Sequence, residues 1–362
     1  MNAFEGKESM RIMQVIAGGD RGGAETFFVS LNLALHQAGL EQRLIMRRNA
    51  LRAALFRDGG VNPLELRFGG RLDWHTPWAL RREVASYRPD IVITWMNRAT
   101  QMMPRGIFAG GDFLHIGRIG GYYDMKYYRK CDRMLLMTQG LANHAVAGGW
   151  SLARVDMIRN FARLEEGPPV NRAEFETPEE APLLLALGRL HEAKALDVLL
   201  RALVREPRAY LWIAGEGPLQ GELSALTQRL DLTGRVRFLG WRTDRKPLLQ
   251  CADICVFPSR YEPFGTVILE AWAAGTPLVV SRAAGALEVV EDGETGLMVA
   301  VDDEAALAGA ITQVIDDPNL ARRMVDTGRE RYEAEFSESA CVRNYIDLFE
   351  RLMTAKDRRA PK

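Results

Sequence analysis

Short apolar or β-branched runs alternate with helix-length amphipathic stretches along this chain, and the alternation breaks only once. In the first half, Arg11 to Ala17, Arg43 to Met46, Asp90 to Thr94, Phe113 to Arg118 and Arg133 to Met137 read as strands. Helices fit Ala24 to Gln37, Pro77 to Tyr87, Ala99 to Phe108 and Gly140 to Ala147. In the second half, strands at Leu183 to Leu187, Tyr210 to Ala214, Val236 to Leu239, Ile254 to Phe257 and Pro277 to Val280 are spaced by helices at Ala195 to Val204, Leu219 to Arg229 and Val267 to Ala274. A parallel strand pair needs a long crossover, and a helical crossover covers one sheet face, so this rhythm predicts parallel sheets built from βαβ units. Between the halves, Leu164 to Pro182 carries Pro168, Pro169, Pro178 and Pro182 without periodicity, which predicts a linker or an exposed connection. The expected fold class is therefore α/β, two doubly wound Rossmann-like domains, residues 1–165 and 166–336, whose strand C-termini face a cleft. The tail from Asp303 to Thr354 reads as almost wholly helical.

Composition bounds the class of protein. With 47% apolar and 26% charged residues, the 362-residue chain is of ordinary globular type. No apolar run approaches the roughly 18 to 20 residues of a spanning helix, and the first ten residues lack the apolar core of a signal peptide, so a cytoplasmic protein is expected. Cys131, Cys251, Cys255 and Cys341 are scattered, and His36, His75, His115, His144 and His191 form no HxxxH or HExxH pattern, so no metal site is expected. The net charge of zero conceals an asymmetry: Met1 to Glu165 holds 23 Lys and Arg against 15 Asp and Glu, while the remainder holds 24 against 32. A basic first half suits an anionic partner, a phospholipid surface or a phosphorylated acceptor, although a solvated arginine-rich surface has the same composition. Nothing has the form of a helix-turn-helix, zinc finger or RNP segment, which argues against nucleic acid.

The segment Glu262-Pro263-Phe264-Gly265-Thr266-Val267-Ile268-Leu269-Glu270 carries the most chemistry. Gly265 and Thr266 read as the entry to an apolar helix, so unpaired N–H groups and the positive dipole end face an incoming anion such as a diphosphate. Glu262 precedes that socket and Glu270 lies about a turn and a half inside the helix, each able to accept hydrogen bonds from sugar hydroxyls. The segment resembles the E-x7-E motif of retaining glycosyltransferases of the GT-B fold, in the large bacterial group called family 4.

The resemblance extends nearly continuously from about Leu183 to Val299. Gly188-Arg189-Leu190 with Lys194 is similar to the family's G-R-L…K-G pattern, which implies that Arg189 and Lys194 neutralise the donor diphosphate. Charge builds on the leaving nucleoside diphosphate as the glycosidic bond breaks, and fixed cations stabilise it. Ala195 departs from the family's glycine at that place. Gly215-Glu216-Gly217-Pro218 resembles a G-x-G-P turn lining the nucleotide pocket, and Phe238-Leu239-Gly240 a segment that contacts the base. Gly275-Thr276-Pro277, Gly285-Ala286-Leu287-Glu288 and Asp292-Gly293-Glu294-Thr295-Gly296-Leu297 also fit. In the first half, Gly18-Gly19-Asp20-Arg21-Gly22-Gly23-Ala24-Glu25 looks like the family's G-G-A-E loop, in which Gly22 and Gly23 approach the donor phosphate. A dinucleotide-binding loop is disfavoured, because G-x-G-x-x-G is absent and Arg47-Arg48 follow the second strand.

The resemblance implies a retaining, metal-independent glycosyltransferase (EC 2.4) with no cofactor. It would use a nucleotide-sugar, expected to be UDP-linked, and a cell-surface glycan or lipid-linked precursor of lipopolysaccharide, capsule or exopolysaccharide type as acceptor. Glu262, Arg189 and Lys194 are the implied catalytic residues. Gly22, Gly23, Gly215, Gly217, Gly265, Thr266, Val267 and Glu270 are the implied donor-binding ones. The final helix, 337–354, would return to the first domain, and the protein would sit in the cytoplasm or at the inner membrane face. The family's acceptor-side histidine has no clear counterpart. His115 reads as a packed residue, with Arg118 or Asp124 as substitutes for it. Tyr122 to Lys130, four tyrosines with three cations, reads either as a face for lipid headgroups or as an amphipathic helix closing the domain. A nucleotide-sugar epimerase of the same fold, or a non-catalytic nucleotide-sugar-binding partner protein, is the alternative.

Overall fold

The computed structural model describes residues 10–19, 22–70, 72–106 and 110–357. The chain divides into two compact units, Met1–Asn160 with Glu338–Lys362, and Phe161–Ser337. Each is built on one parallel sheet.

The first unit carries β1 (Ile12–Ile16), β2 (Gln42–Arg47), β3 (Leu64–Leu66), β4 (Ile91–Trp95), β5 (Leu114–Arg118), β6 (Arg133–Leu136) and β7 (Val155–Met157), in the order β3-β2-β1-β4-β5-β6-β7. β1 runs parallel to both neighbours, with Ile12 opposite Gln42 on one side and Ile91 on the other. Every residue of β1 and β4 is buried, as expected of strands covered by helices on both faces. One polar contact ties that interior together. Gln14 is fully buried, accepts a bond from Trp95 Nε1 at 2.9 Å and donates to Gln42 Oε1 at 3.1 Å. The Trp95 ring meets Phe28 edge-on at 5.1 Å, and Phe28 meets Phe56 at 5.7 Å. The long helix Glu338–Asp357 belongs to this unit: Tyr345 and Phe349 on it are fully buried, and the Tyr345 hydroxyl accepts from Arg118 Nε at 2.8 Å.

The second unit carries β8 (Leu183–Leu187), β9 (Tyr210–Ala214), β10 (Val236–Gly240), β11 (Ile254–Phe257), β12 (Leu278–Ser281) and β13 (Leu297–Val299), in the order β10-β9-β8-β11-β12-β13. Both sheets thus follow the doubly wound 3-2-1-4-5-6 order, the first with one strand more. The winding reverses between β1 and β4, and again between β8 and β11. Ligands of such sheets bind outside the strand C-termini at that reversal.

Two expectations are corrected. The helix expected over Ala99 to Phe108 is Met96–Met102; it starts directly after β4 with Met96 at φ +61, and Pro104 lies just beyond its end. Ile107 to Ala109 lie outside the described residues. The tyrosine-rich stretch forms no amphipathic helix, only the 3-10 turn Met125–Tyr128. Tyr128 is fully buried and its hydroxyl donates to Asn97 Oδ1 at 2.7 Å. The proline-rich connection is largely exposed, as expected, and it is also strapped down at two points. Arg172, 9% exposed, donates to the carbonyls of Glu179, Ala181 and Cys251 and to Asp253, and Thr177 Oγ1 accepts from Trp212 Nε1 at 2.9 Å.

Candidate active site

The loops leaving β8 and β11 lie side by side at the reversal point of the second sheet. Past β11 the chain runs through Pro258 to Gly265 and enters the nine-residue helix Thr266–Ala274. Gly265, at φ +89 and ψ +60, takes the left-handed conformation, and no side chain caps the helix N-terminus. A Cβ there would strike Ile268 Cδ1 at 2.8 Å. The amides of Thr266 and Val267 are thus first-turn donors with no intrahelical acceptor. The glycine at Gly285 closes the same turn: its N–H donates to Glu262 O at 2.8 Å, and a Cβ would lie 2.6 Å from Phe264 N.

Past β8 the chain runs Gly188-Arg189-Leu190 into the short turn Glu192–Lys194. Lys194 Nζ lies 2.5 Å from Glu262 Oε2, with the two side chains 20% and 15% exposed, and 4.8 Å from the centre of the Phe257 ring. Ala195, fully buried, holds φ +49 and ψ +37, the left-handed geometry that a glycine would take without strain. The Arg189 side chain is exposed and forms no hydrogen bond or ion pair among the described residues. Its backbone is fixed by the neighbouring turn after β9. A Cβ on Gly215 would sit 1.9 Å from Gly188 O, one on Gly217 2.3 Å from Leu190 O, and Leu190 N–H donates to Glu216 O at 3.0 Å. Gly215 and Gly217 are there because two loops touch backbone to backbone.

Glu270 lies one and a half turns into the helix and is 2% exposed. Its Oε1 accepts from Arg245 Nη1 at 2.5 Å, while Oε2 is buried without a hydrogen-bond partner. Burial pushes this carboxyl above the usual carboxylate range, and the charges of Arg245 and Lys194 act against that rise. Lys194 is therefore paired with Glu262 and close enough for its field to reach Glu270. Lys194, Glu262, Gly265, Thr266, Val267 and Glu270 form one cluster, with Arg189, Gly215 and Gly217 on the adjoining loops. Sequence reading did not find Arg245. It sits at the start of the helix Arg245–Cys251, and nothing in its spacing marks it apart from Arg242 or Lys246.

Gly22 and Gly23 belong to the first unit, after β1. Gly23 opens the helix Gly23–Gln37, and a Cβ on it would meet nothing within 4 Å. A Cβ on Gly22 would meet Glu25 Oε2 at 2.4 Å, and Gly19 N–H donates to Glu25 Oε1 at 2.7 Å, so the Glu25 carboxylate already occupies part of this loop. Asp20 and Arg21 of the same motif lie outside the described residues. Arg118 and Asp124, read as substitutes for an acceptor-side histidine, both have partners within the first unit. Arg118 is 3% exposed, donates to Tyr345 and to Asn160 Oδ1 and stacks 4.0 Å over Trp95; Asp124 is half exposed, pairs with Lys126 and caps a turn. His115 is packed, as expected: 4% exposed, with Nε2 2.9 Å from Thr94 Oγ1.

Comparison with known proteins bears on the family and the fold. Residues 169–331 match the family described as Glycosyl transferases group 1. The chain is 35% identical over 350 residues to the lipopolysaccharide core biosynthesis glycosyltransferase LpsD of Rhizobium meliloti (strain 1021), covering 94% of this chain and 98% of that one. It is 36% identical over 339 residues to LpsE of the same organism, covering 91% and 96%. Among solved structures, Anabaena HepE in complex with UDP and glucose superposes with a TM-score of 0.82 at 19% identity, over 94% of this chain and 99% of that one. That likeness establishes the GT-B fold.

Proposed function

The chain belongs to the glycosyl transferases group 1 family, and from that premise we propose that it moves a sugar from a nucleotide-sugar, UDP-linked, onto a lipopolysaccharide-type glycan or its lipid-linked precursor, with retention at the anomeric carbon. The observation that carries the reading is the uncapped helix N-terminus at Gly265-Thr266-Val267, flanked by Lys194 on Glu262 and by a buried Glu270 with one oxygen free. Thr266 and Val267 amides, Arg189 and Lys194 receive the diphosphate, and the Gly215 and Gly217 turn lines its nucleotide. Glu262 accepts from hydroxyls of the transferred sugar and Glu270 from the ribose. As the glycosidic bond breaks, negative charge gathers on the diphosphate, where the helix dipole, a guanidinium and an ammonium stabilise it. Charge compensation then comes from the protein alone, so we assign the reaction no divalent metal and no cofactor.

The lipopolysaccharide assignment of the acceptor is supported by two relatives named for lipopolysaccharide core biosynthesis that align over nearly their whole length. No helix among the described residues is long and apolar enough to cross a membrane. We place peripheral contact with an anionic membrane on the first unit. There Leu72, Trp74 and Trp78 are 93%, 69% and 53% exposed, the Arg82 guanidinium lies 4.9 Å over Trp78, and Arg47, Arg48 and Arg67 are exposed at the ends of β2 and β3.

A panel of nucleotide-sugars in a thermal-shift assay tests the donor. One UDP-sugar should raise the melting midpoint by RT ln(1 + [L]/Kd) expressed in degrees, and that donor should give an α- or β-product of unchanged anomeric configuration by NMR, in the presence of EDTA. Absence of any shift across UDP-, GDP-, ADP- and CDP-sugars defeats the proposal.

A further inference from the structure

Glu270 is a carboxyl buried inside a helix, and a buried carboxylate stays ionised only when its neighbours replace the lost hydration. Three cations stand within five residues of its partner element. Arg242 is engaged in a two-point pair with Asp244, Lys246 pairs with Glu166, and Arg245 alone is turned to Glu270. Two further groups bear on the carboxyl. Lys194 is committed to Glu262 and contributes its field without contact. Cys255, on β11, is fully buried and its thiol is pushed up to about 12, so it stays neutral. Arg245 is thus the one cation in direct contact with Glu270 among the described residues.

We propose that Arg245 is a positioning residue of the nucleotide site: seated on Oε1, it keeps Glu270 ionised and leaves Oε2 as the acceptor for a ribose hydroxyl. The inference rests on the donor-site reading above and adds a residue to it. An ionised carboxylate is a stronger acceptor than a carboxylic acid, so ribose recognition depends on the proton staying off Glu270. Burial raises this carboxyl, and Arg245 is the larger of the two influences opposing the rise. Without it, the proton goes on at higher pH, and the ribose contact is lost sooner on acidification. The Arg245 side chain is 35% exposed, so its exchange for another side chain leaves no large hole in the core.

The test is calorimetric binding of UDP, GDP, ADP and CDP to the full chain between pH 5.5 and 9, with the 2′-deoxy form of whichever binds as control. The wild type should prefer the ribonucleotide by about tenfold, the worth of one hydrogen bond to a charged group. In Arg245→Met and Arg245→Gln the acid-side loss of that preference should move up by about one pH unit or more. Arg245→Lys should restore the wild-type profile, a rescue that a packing role would not give. In a Glu270→Gln background the preference should be independent of pH, and Arg245→Met should change affinity by less than about twofold. If none of the four nucleotides binds the wild type, the donor-site reading itself falls. If one binds with a ribose preference and neither charge-deleting variant shifts the profile, this inference alone is overturned.

Discussion

Lys194 and Glu262 are joined before any substrate arrives. Both side chains are mostly buried, so the pair counts for more than an exposed ion pair, and on the proposed donor-site reading a diphosphate would find the ammonium already held in place. Truncation at Lys194→Ala should lower kcat/KM for the donor by about 10²- to 10³-fold, the range seen when one charge-stabilising donor is removed. Steady-state kinetics with radiolabelled donor reads it, and a loss under about threefold contradicts the assignment. His115 makes a separate prediction about pH. Burial, helped by the charge of Lys130, lowers this imidazole to about 3. An unfolded histidine takes its proton near 6.5, so between about pH 6.5 and 3 the unfolded chain binds a proton that the folded chain refuses. The stability that His115 lends is complete above the unfolded value and drains away as pH falls, by about 1 kcal/mol per pH unit. His115→Gln, which keeps a partner for Thr94, should flatten that slope in urea unfolding at pH 7, 6 and 5.

At the scale of elements, sequence periodicity located the strands well. β8, β9 and β11 coincide with the stretches read from the sequence, and β1, β4 and β10 differ by a residue or so at their ends. The elements that periodicity missed are short or weakly patterned: β3, β7 and β13 have three residues each, and the helices Ala50–Asp58, Arg245–Cys251 and Ala284–Val289 bury only part of one face. The Met96–Met102 helix was misplaced because the left-handed turn at Met96 that starts it leaves no residue-type signal. Proline content marks the segment before β8 as an exposed connection but carries no sign of its docking, since prolines forbid a helix without forbidding contacts. Arg172 does the docking with four hydrogen bonds, three of them to backbone carbonyls. Arg172→Ala should leave those acceptors unpaired, lower stability by about 2 to 3 kcal/mol, and open residues 164–182 to protease. Limited proteolysis followed by mass spectrometry would show the cut, and an unchanged pattern would mean the strap is held by Phe175 against Trp212 instead.

For the whole molecule, the C-terminal helix is the part whose place the chain order conceals. Glu338–Asp357 comes last in sequence, yet it buries Tyr345, Leu348 and Phe349 in the unit that begins the chain. The Arg118–Tyr345 bond spans 227 residues. A chain ending at Ser337 should therefore lose the low-temperature or high-temperature transition belonging to the first unit, and expose apolar surface that binds a dye such as ANS, while residues 161–337 keep their own sheet. Differential scanning calorimetry of the two lengths decides it. An unaltered thermogram would show that the first unit is complete without the helix.

The amino-acid sequence alone determined what depends on neighbours in the chain. Alternating apolar patterns mark strands and helices because burial of a face repeats with the local period, and Gly265-Thr266 marks a helix entry whose first amides, as in any helix, lack acceptors. Tertiary structure decided the partners. Lys194 meets Glu262 across 68 residues and Arg245 meets Glu270 across 25, because the order β10-β9-β8-β11 brings the ends of strands distant in sequence to one edge of the sheet. No local pattern encodes which crossover lands beside which, so the charges that hold the two glutamates, and the oxygen of Glu270 left open, became visible only in the folded chain.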